Sequence, residues 1–147
     1  MEMSRRSLVT GALAALGVST LRSVPAAAQS AALKQAVLAF EDAVSWAAVS
    51  PTWVAQRPQW LAAVRGATSV AGVAAQILRL EAAMGWPSVQ DSWRQRRAGW
   101  VAQLQAATTD HDVAARLLEL EGVTKWSAVR ATWRQARGAW VARTSTI

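Results

Sequence analysis

Shifted by 40 positions, the sequence falls on itself without a gap. Trp46, Trp86 and Trp126 share one register, Trp53, Trp93 and Trp133 a second, and Trp60, Trp100 and Trp140 a third, which uses all nine tryptophans. Glu41, Glu81 and Glu121 align, as do Arg57, Arg97 and Arg137, Val49, Val89 and Val129, and Leu38, Leu78 and Leu118. A fixed period of this kind marks a repeat architecture. Each unit is one supersecondary piece that cannot bury its apolar face alone, and about three copies are needed to build a continuous core.

Each unit reads as two helices. In the second unit, Val73, Ile77, Leu80 and Met84 follow one another at steps of four, three and four, a single stripe of helical period, and predict a helix near 70–84. The third-unit copy carries Val113, Leu117 and Leu120, with Thr108, Thr109 and Asp110 as N-cap candidates. Gly85-Trp86-Pro87 ends the first helix, because Pro87 cannot continue it. A second helix is expected over 88–106, with Val89, Trp93, Trp100 and Leu104 on one face. Its first-unit copy should start at Ser50-Pro51, a cap residue followed by proline at the first helical position. The expected fold is all-α: three tandem 40-residue helical hairpins with short connections, six helices stacked as a short α-solenoid or a compact bundle. The units fall at about 30–69, 70–109 and 110–147, within one repeat domain from residue 29.

Large indoles suit the core of an alanine-rich chain, so packing is the expected role of the tryptophans, ahead of a stacking surface for sugars, aromatic ligands or bases. Trp46 at the hairpin junction is expected to staple the two helices. Arg57, Arg97 and Arg137 each lie between two tryptophans of one helix and should rest against an indole face. Glu41, Glu81 and Glu121 are the acidic position present in every unit, and should pair with those arginines either across each hairpin or between neighbouring units. These positions read as structural.

Charge that does not recur is more telling. The chain has 16 Lys+Arg against 9 Asp+Glu. Arg94, Arg96, Arg130 and Arg134 concentrate positive charge in units two and three, and they are the candidate partner-binding residues. Asp110-His111-Asp112 invites a metal or acid–base reading, but capping and the helix dipole account for aspartates there. With no cysteine and one histidine, disulfide frameworks, thiolate metal sites, thiol nucleophiles and multi-histidine sites are excluded. No nucleophile elbow, phosphate loop or dinucleotide fingerprint appears, so no catalytic residue, metal or cofactor is expected.

The first 28 residues have a different character. Arg5-Arg6 precedes an uncharged stretch from Val9 to Leu21, and Ala26 and Ala28 occupy the small-residue positions of a cleavage site. With Ser4 before the arginine pair and Leu8 two places after it, the segment resembles a twin-arginine export signal. The 14 uncharged or apolar residues from Leu8 to Leu21 fall short of the roughly 20 that a spanning helix needs. The resemblance implies cleavage after Ala28 and a protein that crosses the membrane folded, into a bacterial periplasm or secreted, or into a thylakoid lumen. Removing 1–28 takes away Arg5, Arg6, Arg22 and Glu2, which leaves 13 basic and 8 acidic residues. The expected function is a non-enzymatic exported module that docks on a partner protein or larger assembly. The alternative is a binder of an anionic surface or polymer through the arginine-rich second helices. Export disfavours nucleic acid, and the membrane is met only in transit. A docking module should expose an apolar or tryptophan-bearing patch. An anion binder should gather the four arginines on one face.

Overall fold

The apolar stripes become helices close to where their spacing places them. A computed structural model describes residues 31–147, so the expectation of an export signal in 1–28 lies outside the described residues. Helix α1 covers 31–43, α2 Trp53–Gly66, α3 Val70–Ala83, α4 Trp93–Ala106, α5 Asp110–Val123 and α6 Trp133–Ser145. Ser69 and Thr109 cap α3 and α5, their hydroxyl oxygens accepting from the backbone N–H of Gly72 at 3.0 Å and of Asp112 at 3.1 Å. The first helix of each unit is the more deeply buried, with Val73, Ala74, Ile77 and Leu80 of α3 all in the core. The second helix lies outside it and commits a narrower seam, Trp93, Trp100 and Leu104 in α4.

The second helices start later than expected. Ser50-Pro51 does not open α2; it lies in a turn closed by Trp53 N–H donating to the Ser50 carbonyl at 2.9 Å, and the helix begins at Trp53. The same turn delays α4 to Trp93 and α6 to Trp133. The connections are consequently long, 44–52, 84–92 and 124–132. Each holds one 3₁₀ turn, Trp46–Ala48, Trp86–Ser88 or Trp126–Ala128. A valine in extended backbone follows it, Val49, Val89 or Val129.

Those extended residues join the units to one another. Val49 pairs with Met84, Val89 with Thr124 and Val129 with Val44, each as an isolated antiparallel bridge. Ser50 N–H donates to the Ala83 carbonyl at 2.7 Å, Gln90 N–H to Val123 at 2.9 Å and Arg130 N–H to Ala43 at 2.8 Å. Unit one is thus tied to two, two to three, and three back to one. Of the two expected arrangements the compact bundle holds, and as a closed ring of pseudo-threefold symmetry. An open α-solenoid would leave the last of these ties unmade.

The inner register of tryptophans repeats the same circuit. Trp60 Nε1 donates to the Gln76 carbonyl at 2.8 Å, Trp100 Nε1 to Arg116 at 2.8 Å and Trp140 Nε1 to Ala36 at 3.0 Å. Each indole therefore crosses from one unit into the next, with its only polar atom satisfied inside the interface. Within each outer helix the two tryptophans meet edge to face, with centroids 5.4, 5.1 and 5.3 Å apart in units one to three.

Candidate functional site

Two clusters of recurring polar residues must be told apart, one structural and one exposed. Glu41, Glu81 and Glu121 are buried, and each accepts from the arginine of its own hairpin. Arg57 Nε is 2.6 Å from Glu41, Arg97 Nε 2.7 Å from Glu81 and Arg137 Nε 2.8 Å from Glu121. The pairing runs across each hairpin, not between units. The indoles of Trp53, Trp93 and Trp133 donate to the same carboxylates at 3.5, 3.3 and 3.0 Å. A charge buried beside a core needs that full set of partners.

The hydrogen bond to Glu41 lifts the Arg57 guanidinium above its ordinary pKa, against the opposing pull of burial and with help from the Glu41 and Asp42 charges. Arg137 is raised in the same way by Glu121. A cation with a raised folded-state pKa stabilises the fold at every pH below its unfolded value, so these two pairs persist into strong alkali. Glu81→Gln and Arg97→Gln are each expected to cost about 1–3 kcal/mol in urea unfolding, toward the lower end because the arginine is partly solvated. Together they should fall short of additivity by about 0.5 kcal/mol or more; strictly additive losses would show an uncoupled pair.

The arginines in these pairs do not stack on the indoles of their own helix, as their spacing had suggested. Nor do Trp46, Trp86 and Trp126 staple the hairpins. They stand 49%, 45% and 49% exposed, while the other six tryptophans are buried. The guanidinium carbons of Arg94 and Arg134 lie 4.8 Å from the Trp86 centroid and 5.1 Å from the Trp126 centroid. Unit one has Val54 at that register, and Arg57 reaches toward Trp46 at 5.7 Å instead. Because the three connections are bridged to one another, the exposed indoles share one end of the ring. Arg130 adds a further cation there, lining the cleft beneath Trp46.

Three of the four candidate arginines therefore meet at the tryptophan end. Arg96 does not: it lies on the side of the ring, with its guanidinium 4.0 Å from Glu119 and 5.8 Å from the Trp93 ring. His111 is exposed on the first turn of α5, between the two aspartates of that turn. Residues 31 and 147 lie at the opposite end from the exposed indoles, where Ala32 and Ile147 line one cavity.

Under each exposed indole lies a cleft formed by the same repeat positions, and the three differ sharply in size. In unit one it is about 10 Å³, in unit two about 190 Å³ and in unit three about 380 Å³. The substitutions between units explain the order. Arg130 leans into the first, while Met84 lines the second. In the third, Thr124 stands where Met84 does, Gly122 where unit one has Asp42, and Gln90 where Arg130 does. Lys125 joins the rim in place of Ser45 and Gly85. The recurring positions were legible as a set, but which of them opens a cleft depends on residues that do not recur.

A family model described as a domain of unknown function (DUF8799) matches residues 27–83 and again residues 73–133. Each match spans roughly one and a half of the 40-residue units, and the two overlap, as tandem copies of one repeated module would. No curated protein and no solved structure matches the chain.

Proposed function

The chain belongs to the DUF8799 family, a domain of unknown function, and we propose that its ring is a non-enzymatic docking module that meets a protein partner or assembly through the tryptophan end. The observation that carries this reading is the exposure of Trp46, Trp86 and Trp126, one on each of the three connections that are bridged to one another. Tryptophan and arginine are the residue types that dominate binding energy at protein interfaces, and large exposed apolar surface is disfavoured without a partner. Arg94 and Arg134 hold two of the indoles in place, which lowers the entropy lost on docking. The face also has a sign: Arg94, Lys125, Arg130 and Arg134 stand against the exposed carboxylates of Asp42 and Asp91. A partner with an acidic surface fits it.

We read residues 1–28 as a twin-arginine export signal, which would place the module in a periplasm or lumen. Binding to an anionic polymer through Arg94, Arg96, Arg130 and Arg134 draws less support, because Arg96 faces Glu119.

The test is capture from an extract of the compartment, at low and moderate salt, with the chain as bait. A partner retained by the chain and by Arg96→Ala, but lost by the combined Trp46→Ala, Trp86→Ala and Trp126→Ala variant, supports the reading. Retention by the triple variant sinks it. Retention on a polyanion column that ignores the indoles and vanishes with Arg96→Ala would favour the polymer instead.

A further inference from the structure

The pseudo-threefold supplies two internal controls for the third cleft, since the same backbone carries different side chains in units one and two. Where units one and two have Asp42 and Ala82, unit three has Gly122 near the end of α5. No described glycine has positive φ, and a Cβ at Gly122 would meet nothing within 4 Å. Neither backbone conformation nor packing calls for glycine there, and glycine weakens a helix. Its effect is to leave the wall of the cleft open and to remove the carboxylate that faces Arg57 in unit one, 3.7 Å away.

The third cleft accordingly sets two cations, Arg137 and Lys125, against the single carboxylate of Glu121. Arg137 bonds Glu121 through Nε, and its side chain is 39% exposed, so its terminal nitrogens are available to a second anion. Lys125 makes no ion pair among the described residues. Beside them lie the half-exposed Trp126 ring, the Thr124 side chain and the Gln90 amide. At about 380 Å³ the cleft falls in the range of pockets that hold ligands, whereas the first-unit cleft has room for one water molecule at most.

We propose that the unit-three cleft receives the C-terminal carboxylate of a protein chain whose last side chain is apolar. The carboxylate lies between the Arg137 fork and the Lys125 ammonium, a geometry that suits a planar anion. The apolar side chain rests against Trp126. A chain end is favoured over a simple free acid because the Gln90 amide and the Thr124 hydroxyl line the same cleft and can bond the peptide group that precedes a terminal carboxylate. The inference rests on the docking reading for its partner, and it names the chemistry by which unit three recognises that partner.

The experiment follows the nine indole N–H signals of the full chain by NMR during titration with a pentapeptide ending in free phenylalanine, the same peptide amidated, and 3-phenylpropanoate. The free peptide should shift Trp126 while leaving Trp46 and Trp86 in place, with a Kd on the order of 1 mM or tighter. The amide should bind at least about tenfold more weakly, the difference one lost charge-assisted contact makes. Gly122→Asp and Lys125→Ser each restore a residue that unit one carries at that register, so both should fold, and Gly122→Asp should abolish the shift. Equal binding of acid and amide, equal shifts at all three indoles, or no shift overturns the proposal. 3-Phenylpropanoate binding as tightly as the peptide overturns the assignment to a chain end. If the peptide fails while partner capture still depends on the three indoles, this inference falls and the docking reading stands; the converse result separates them the other way.

Discussion

Trp100→Ala is expected to cost about 3–5 kcal/mol, and Trp86→Ala, fourteen residues away in the same unit, less than about 1 kcal/mol. The two indoles do different things. Trp100 is buried, packs edge to face on Trp93 at 5.1 Å, and donates from α4 to the Arg116 carbonyl of α5. Its removal leaves a cavity at the junction of units two and three and takes a bond from the interface. Trp86 is half exposed and loses only its contact with Arg94 and nearby side chains. Urea or thermal unfolding measures the difference directly. For a domain of this size the Trp100 loss should lower Tm by on the order of 10–20 °C. Comparable losses at both positions would overturn the division of the tryptophans into a packing set and a docking set.

That division also shows what a sequence of this kind reveals. The helical stripes of α3 and α5 were legible because Val73, Ile77 and Leu80, or Val113, Leu117 and Leu120, repeat with the helical period and every one of them is buried. The Glu–Arg pairs were legible as conjoined repeats, though not which way they ran. Trp46, Trp86 and Trp126 were misread because recurrence marks duplication alike for a buried and an exposed side chain. One signal was available: Trp86 lies between Gly85 and Pro87, outside either helical stripe, where no regular face carries it inward. The late starts of α2, α4 and α6 had no local signal. Val49 is extended because Met84 of the next unit pairs with it, and a pairing across 35 residues leaves no trace in the spacing around Ser50-Pro51. Ring closure was hidden for the same reason, since a period fixes the unit but not the rotation from one unit to the next. The clefts needed both levels: the fold to place the five registers that line all three, and the unmatched Gly122, Thr124 and Lys125 to open one of the clefts.

Closure makes the second large prediction, which separates a ring from a stack. A chain ending after unit two, at residue 109, should give no cooperative monomeric unfolding transition. In an open repeat array each unit contacts only its neighbours, so loss of an end unit removes one interface and the remainder stays folded with reduced stability. Here unit three touches both others. Its removal strips the Val89–Thr124 and Val44–Val129 bridges together and takes away the Trp140 bond to Ala36. It also uncovers Phe40, which packs on Trp133 and Trp140 with centroids 6.5 and 6.0 Å away. The converse operation should be harmless. Ala32 and Ile147 line the same cavity, so a circular permutant that joins residue 147 to residue 31 through a short linker and opens the chain at Thr68, between α2 and α3, keeps every tie in the circuit. Such cuts at exposed connections are generally tolerated. The permutant should retain a single cooperative transition within about 2 kcal/mol of the parent, since one connection is exchanged for another of similar length. A two-unit chain that unfolds cooperatively as a monomer, or a permutant that fails to fold, would show that the ends of the ring do not hold one another.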